Sequence, residues 1–229
     1  MPWRRATARQ MRYHPGWLAT VLVLIAVSLL TVALAVDRQL ADRLTSENGA
    51  AEWLQAGLCA ACAGVALWAA WDTARGGACP VLEVLVAAMM TALVIGEVDL
   101  DRIIAGRKLI ATRFLVDPAV PVIWRGLVAA CLVIPPAALA VYALHRRRQL
   151  VAAIREVLPQ PKGRVFVVGL VVFAFAEIFE RPAGRISGLP RYFIEETLEL
   201  IAAICFAVSL FAHRRTQARA PAASRLSGS

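Results

Sequence analysis

Lysine is almost missing from this 229-residue chain: of its 25 basic residues only Lys108 and Lys162 are lysine, and the rest are arginine. Together with abundant alanine, that substitution pattern points to a GC-rich bacterial coding bias. Charge of either sign is thin, at 18% of residues against ~25% in soluble domains, while 59% of the chain is hydrophobic. An ordinary soluble globule is excluded, and so is a disordered chain, because this much apolar surface more than offsets the entropy of ordering. Histidine is confined to His14, His145 and His213. Walker A, G-x-G-x-x-G and G-x-S-x-G patterns are absent, so nucleotide hydrolysis and serine-hydrolase chemistry have no support, and no cofactor is expected.

What is present is apolar length. The mean hydropathy is +0.64, and a helix needs ~20 mostly apolar residues to cross ~30 Å of hydrocarbon. Six runs qualify, at about 16 to 36, 51 to 71, 79 to 98, 122 to 144, 165 to 180 and 192 to 212. The expected fold is therefore all-α: a polytopic bundle of six transmembrane helices with short loops, between a basic leader (1–15) and a flexible tail (214–229). The first run follows Arg4, Arg5, Arg9 and Arg12 and ends near Ala33-Leu34-Ala35, which resembles a signal-peptidase site. Its length favours a retained anchor, since a secretory apolar region is ~7–15 residues.

The net charge of +9 suits topology better than nucleic acid, because the arginines are scattered through connections and form no aromatic-interleaved patch. Lys and Arg are more frequent in the leader, the second and fourth connections and the tail than in the alternate connections. By the positive-inside rule both termini are expected in the cytoplasm, in a bacterial inner membrane. The lipid bilayer is then the first partner, a membrane-protein partner or a homo-oligomer is open, and no nucleic acid is expected.

Two connections carry pattern of their own. His145 to Leu158 reads HRRRQLVAAIREVL, with Leu150, Ile154, Val157 and Leu158 on one helical face. It is expected to lie as an amphipathic helix at the membrane surface, or else to be a solvated stop-transfer charge run. Asp101 to Val116 places Ile103, Ile104, Ile110 and Phe114 among four basic residues and suggests a second interfacial helix. Trp53, Trp71, Trp124, Tyr192 and Phe193 fall near span ends as interfacial anchors. Pro135-Pro136, inside the fourth span, removes helical donors and predicts a kink. Cys59, Cys62, Cys131 and Cys205 lie within apolar runs and read as buried free thiols; the Cys59-x-x-Cys62 spacing has no βαβ context that would make it a redox motif.

The acidic residues hold the functional signal. Of sixteen, only Asp72, Glu83 and Glu156 fall on the expected cytoplasmic side. Glu52 opens the second span, Glu97, Asp99 and Asp101 close the third, Glu177 and Glu180 close the fifth, and Glu195, Glu196 and Glu199 open the sixth. Glu199 lies seven residues into its run, about 10 Å at 1.5 Å per residue. An ionisable residue at such depth costs at least a few kcal/mol unless paired or wetted, which makes it a functional candidate by default. The spacings i,i+3 (Glu177, Glu180) and i,i+4 (Glu195, Glu199) put each pair on one face. The short Arg181 to Arg191 connection makes the fifth and sixth spans antiparallel neighbours.

The expected site is thus Glu52, Glu97, Glu177, Glu180, Glu196 and Glu199 with Arg125 as counter-charge, opening outward to bind a cation or relay protons in a transporter or channel. Crowded carboxylates in low dielectric share protons or bind a hard cation through oxygen. Two alternatives stand beside it: a non-catalytic scaffold or accessory subunit with a structural Glu–Arg network, and an intramembrane enzyme using paired carboxylates. Glu195-Glu196 resembles the E-E-x-x-x-R motif of the intramembrane CAAX-protease-like family, but Leu200 stands at the arginine position and all three histidines lie near the opposite span ends, which sets that chemistry aside. An inverted 3+3 repeat is unsupported too, because the second span begins acidic where the fifth ends acidic.

Overall fold

A computed structural model describes residues 15–46, 49–98, 120–180 and 192–219. Among them the chain forms eight helices and no strand: α1 (Pro15–Val36), α2 (Arg38–Leu44), α3 (Ala50–Arg75), α4 (Val81–Glu97), α5 (Val122–His145), α6 (Arg147–Val157), α7 (Pro161–Glu180) and α8 (Phe193–Arg219). The basic leader, most of the carboxyl tail, the Asp101 to Val116 segment and the Arg181 to Arg191 connection lie outside the described residues.

Local chemistry sets several helix limits. Asp37 caps α2, its side chain accepting the Gln39 backbone N–H at 2.8 Å, which satisfies one of the donors that a helix start leaves open. Gly77, with φ +77, makes the turn between α3 and α4, in a region that a Cβ disfavours. Helix α5 runs unbroken through Pro135 and Pro136.

The bundle is built around α8. Its stretch Ala202 to Ser209 is buried without interruption, as expected for a helix surrounded by others rather than lying at a boundary. It packs against α7, α3 and α1, while α4 packs on α3. One core cluster joins Cys59, Cys62 and Ala63 of α3 to Met90 of α4 and Ala203 and Phe206 of α8. A second joins Ala19 and Leu30 of α1 to Val165 of α7 and Leu200, Ile204 and Val208 of α8. Small residues dominate these contacts and let the backbones approach closely, as helices do when apolar surroundings supply little net driving force. The α7–α8 pair is antiparallel: Phe166 packs against Phe206 with ring centroids 5.1 Å apart and the rings tilted by 49°, and the Ser209 hydroxyl donates to the Lys162 carbonyl at 2.7 Å.

Three of the helices, α1, α3 and α5, are long and apolar enough to cross a membrane. Helix α5 makes the case most directly. None of its residues is buried, and Ile123, Val133, Ile134 and Val141 are all well over half exposed, an apolar surface that water would not tolerate without a covering. Near the end of α3, the Arg75 guanidinium lies 4.7 Å above the Trp71 ring, an arrangement suited to a membrane–water boundary. The exposure of α5 also corrects one expectation. Cys59, Cys62 and Cys205 are buried free thiols, but Cys131 is exposed, because its apolar run meets few other helices.

The amphipathic helix expected from His145 to Leu158 is present as α6. It packs against α4 and α5.

Candidate functional site

The expected acidic level exists at one end of the bundle, built by two helix starts and one helix end. Glu52 lies in the first turn of α3 and Glu195 and Glu196 in the first turn of α8, where the partial positive charge of the helix start favours a carboxylate. Glu97 is the last residue of α4, where the dipole acts against it, so it needs a donor from elsewhere.

That donor is Gln55. Its Nε2 donates to Glu97 Oε1 at 2.7 Å and to Glu199 Oε2 at 3.2 Å, so one amide ties α3 to α4 and α8. Gln55 is only 2% exposed, and its Oε1 is buried without a hydrogen-bond partner. Glu196 is 7% exposed, and its Oε2 is likewise buried without one. Around these atoms the charges of Glu52, Glu97, Glu195 and Glu199 act on one another and on Glu196. An unpartnered buried oxygen costs about 1–3 kcal/mol, and more when charged, so each one calls for a proton, a water or an ion.

Four of the expected residues therefore come together: Glu52, Glu97, Glu196 and Glu199. Glu177 does not join them. The α7–α8 register carries it to the level of Glu195, but its side chain is exposed. Glu180 closes α7, and its side chain lies outside the described residues. Arg125 sits in the first turns of α5, half-buried, with Nε lacking a partner; α5 packs against α4 and α6 and gives no hydrogen bond to the Gln55 amide.

Sequence reasoning passed over Gln55 and left Glu195 out of the site. Gln55 had a signal: a lone amide inside an apolar run, three residues after Glu52 and so on the same face. Among the described residues no group of three or more His, Cys, Asp or Glu side chains has the geometry to hold a metal ion. The Gln55 amide nitrogen stands between Glu97 and Glu199, hydrogen-bonded to both.

These features define an all-helical protein compatible with a membrane, with a buried carboxylate–amide group at one end. Compared with protein families, characterised proteins and solved structures, the chain matches none.

Proposed function

We propose that the chain is a six-span inner-membrane protein with both termini in the cytoplasm, in which α4, α7 and α8 cross alongside α1, α3 and α5. In this reading the carboxylate–amide group opens outward and relays protons. The supporting observation is the pair of buried, unpartnered oxygens, Gln55 Oε1 and Glu196 Oε2, amid carboxylates from three helices. Protonation within the group supplies what such oxygens lack: a carboxylic acid O–H donates, and an amide carbonyl or a neighbouring carboxylate accepts. Gln55 Nε2 donates to both Glu97 and Glu199 and so holds the two carboxylates at one level; because an amide nitrogen only donates, the relayed proton passes between carboxyl oxygens and not through the amide. A monovalent cation held by the same oxygens is the variant of this reading in which charge, not a proton, is passed.

A second reading draws on the same amide. Because Gln55 ties α3 to α4 and α8, the group equally suits a scaffold or accessory subunit in which it only fixes helix orientation.

Thermal unfolding of the full chain in nanodiscs, across pH and with added Na+, K+ or Ca2+, separates the two. A ligand of the folded state raises stability by mass action. For the relay, Glu199→Gln stays folded and abolishes the pH dependence of unfolding contributed by the group, and any cation-specific stabilisation goes with it. A wild-type response that survives in Glu199→Gln, with a large stability loss in Gln55→Leu, supports the scaffold.

A further inference from the structure

Sulphur gathers in one place in this bundle. The chain has five cysteines and four methionines. Cys59, Cys62 and Met90 are buried in the core cluster where α3, α4 and α8 meet, with Met89 packed against it. Met1 and Met11 stand in the leader, so every later methionine belongs to the surroundings of this cysteine pair. Cys59, Cys62 and Met90 are 1%, 0% and 0% exposed, and both thiols are free.

Helix α3 arranges its donors in order of softness. Glu52, Gln55, Cys59 and Cys62 are spaced i, i+3, i+7 and i+10, and so share one stripe of the helix. The stripe begins with a hard carboxylate in the first turn, passes the buried Gln55 amide and ends in two soft thiols within the apolar core. The charges of Glu97 and Glu199 reach Cys59, so the carboxylate group and the first thiol are neighbours. Packing alone does not ask for this order, since alanine fills the same cluster at Ala63, Ala202 and Ala203.

Such a donor set selects its ion. Thiolate and thioether sulphur favour Cu(I), whereas carboxylate and carbonyl oxygen favour Mg2+, Ca2+ and Mn2+. Structural zinc takes four ligands, and two thiols with one thioether offer three. Cβ atoms three residues apart on a helix lie about 5–6 Å from each other, a gap that two sulphurs can close on a single ion.

We propose that Cys59, Cys62 and Met90 bind one Cu(I) ion, which enters from the carboxylate end of α3. Binding exchanges one proton for one Cu+. The S–H bond of one thiol breaks, its sulphur bonds to the metal, and the proton leaves to a carboxylate of the neighbouring group and then to water. The second thiol and the Met90 thioether donate lone pairs without losing a proton, and no electron is transferred. The apolar core therefore gains no net charge, which would be costly there. The site does not depend on whether the carboxylates relay protons across the membrane.

Anaerobic titration of the full chain in nanodiscs with Cu(I), against bathocuproine disulfonate as competing chelator, tests the assignment. A Cys79→Ser/Cys131→Ser background removes the two thiols that are not buried. One Cu(I) per chain is expected, with sulphur as its nearest neighbour in X-ray absorption. Cys59→Ala/Cys62→Ala should weaken binding by more than about a hundredfold, beyond the ~10–100-fold cost of losing an outer-shell partner. Met90→Leu, which conserves volume, should weaken it by about tenfold. Cys205→Ala removes the remaining buried thiol, from the other core cluster, and should bind as the background does. Failure of the background protein to hold Cu(I) against the chelator overturns the site without reference to any further variant. So does unchanged affinity in Cys59→Ala/Cys62→Ala, or an equal loss in Cys205→Ala, which would trace the effect to packing.

Discussion

Gly169 offers the sharpest test of how α7 and α8 meet. A Cβ built there would lie 2.8 Å from Phe206 Cε1, 2.9 Å from its Cδ1 and 3.1 Å from Cys205 Cβ. Phe206 is 1% exposed and packed against Phe166, so its ring cannot swing away without opening the core. Gly64 on α3 is the matched control, since a Cβ there meets nothing within 4 Å. Both substitutions to alanine gain the same helix propensity, ~0.8–1.0 kcal/mol over glycine, and that gain cancels when they are compared. What remains is the cost of overpacking, about 1–3 kcal/mol. Gly169→Ala should therefore be less stable than Gly64→Ala by that amount in reversible unfolding in detergent. Adding Phe206→Leu should bring the difference down, as a double-mutant cycle would show. Equal stability of the two alanine variants would refute the close α7–α8 approach.

Two further outcomes follow from the packing and the proposed topology. Cys62→Leu inserts volume at a position with 0% exposure and should cost about 1–3 kcal/mol, whereas Cys131→Leu on exposed α5 should stay within about 0.5 kcal/mol; comparable losses would mean that α5 is packed in the bundle. Reporter fusions at the two termini should both signal a cytoplasmic location, and a periplasmic carboxyl terminus would invert the depth of every carboxylate.

Much of this arrangement is legible in the sequence because its strongest signal, apolar length, survives folding unchanged. Each expected run has a helix on it, and α6 is where amphipathic spacing puts it. The acidic level is legible as well, since depth along a helix is a matter of counting. Rotation about the helix axis is not. Gly169, Phe173 and Ala176 follow helical spacing on α7, and Ala176 is fully buried. Glu177, one residue further, is turned by about 100° and left exposed. An apolar stripe of small residues chose the buried face of α7, and the acidic spacing had no vote. Gln55 escaped for a related reason: a single amide barely dents hydropathy, yet its two donors are what join Glu97 to Glu199. Cys131 looked buried because its run is apolar, but in a bilayer apolar residues are as much at home facing lipid as facing protein.

The central claim, that the Gln55-linked carboxylates carry protons, is tested most directly by flux in proteoliposomes. The purified chain is reconstituted with a pH-sensitive dye inside, and a potassium diffusion potential drives the movement. The wild type should acidify the lumen, Glu199→Gln should fall to the rate of protein-free liposomes, and Glu177→Gln, exposed beside the group, should keep the wild-type rate. Wild-type protein with no flux above protein-free liposomes, or a Glu199→Gln variant as active as wild type, would contradict it.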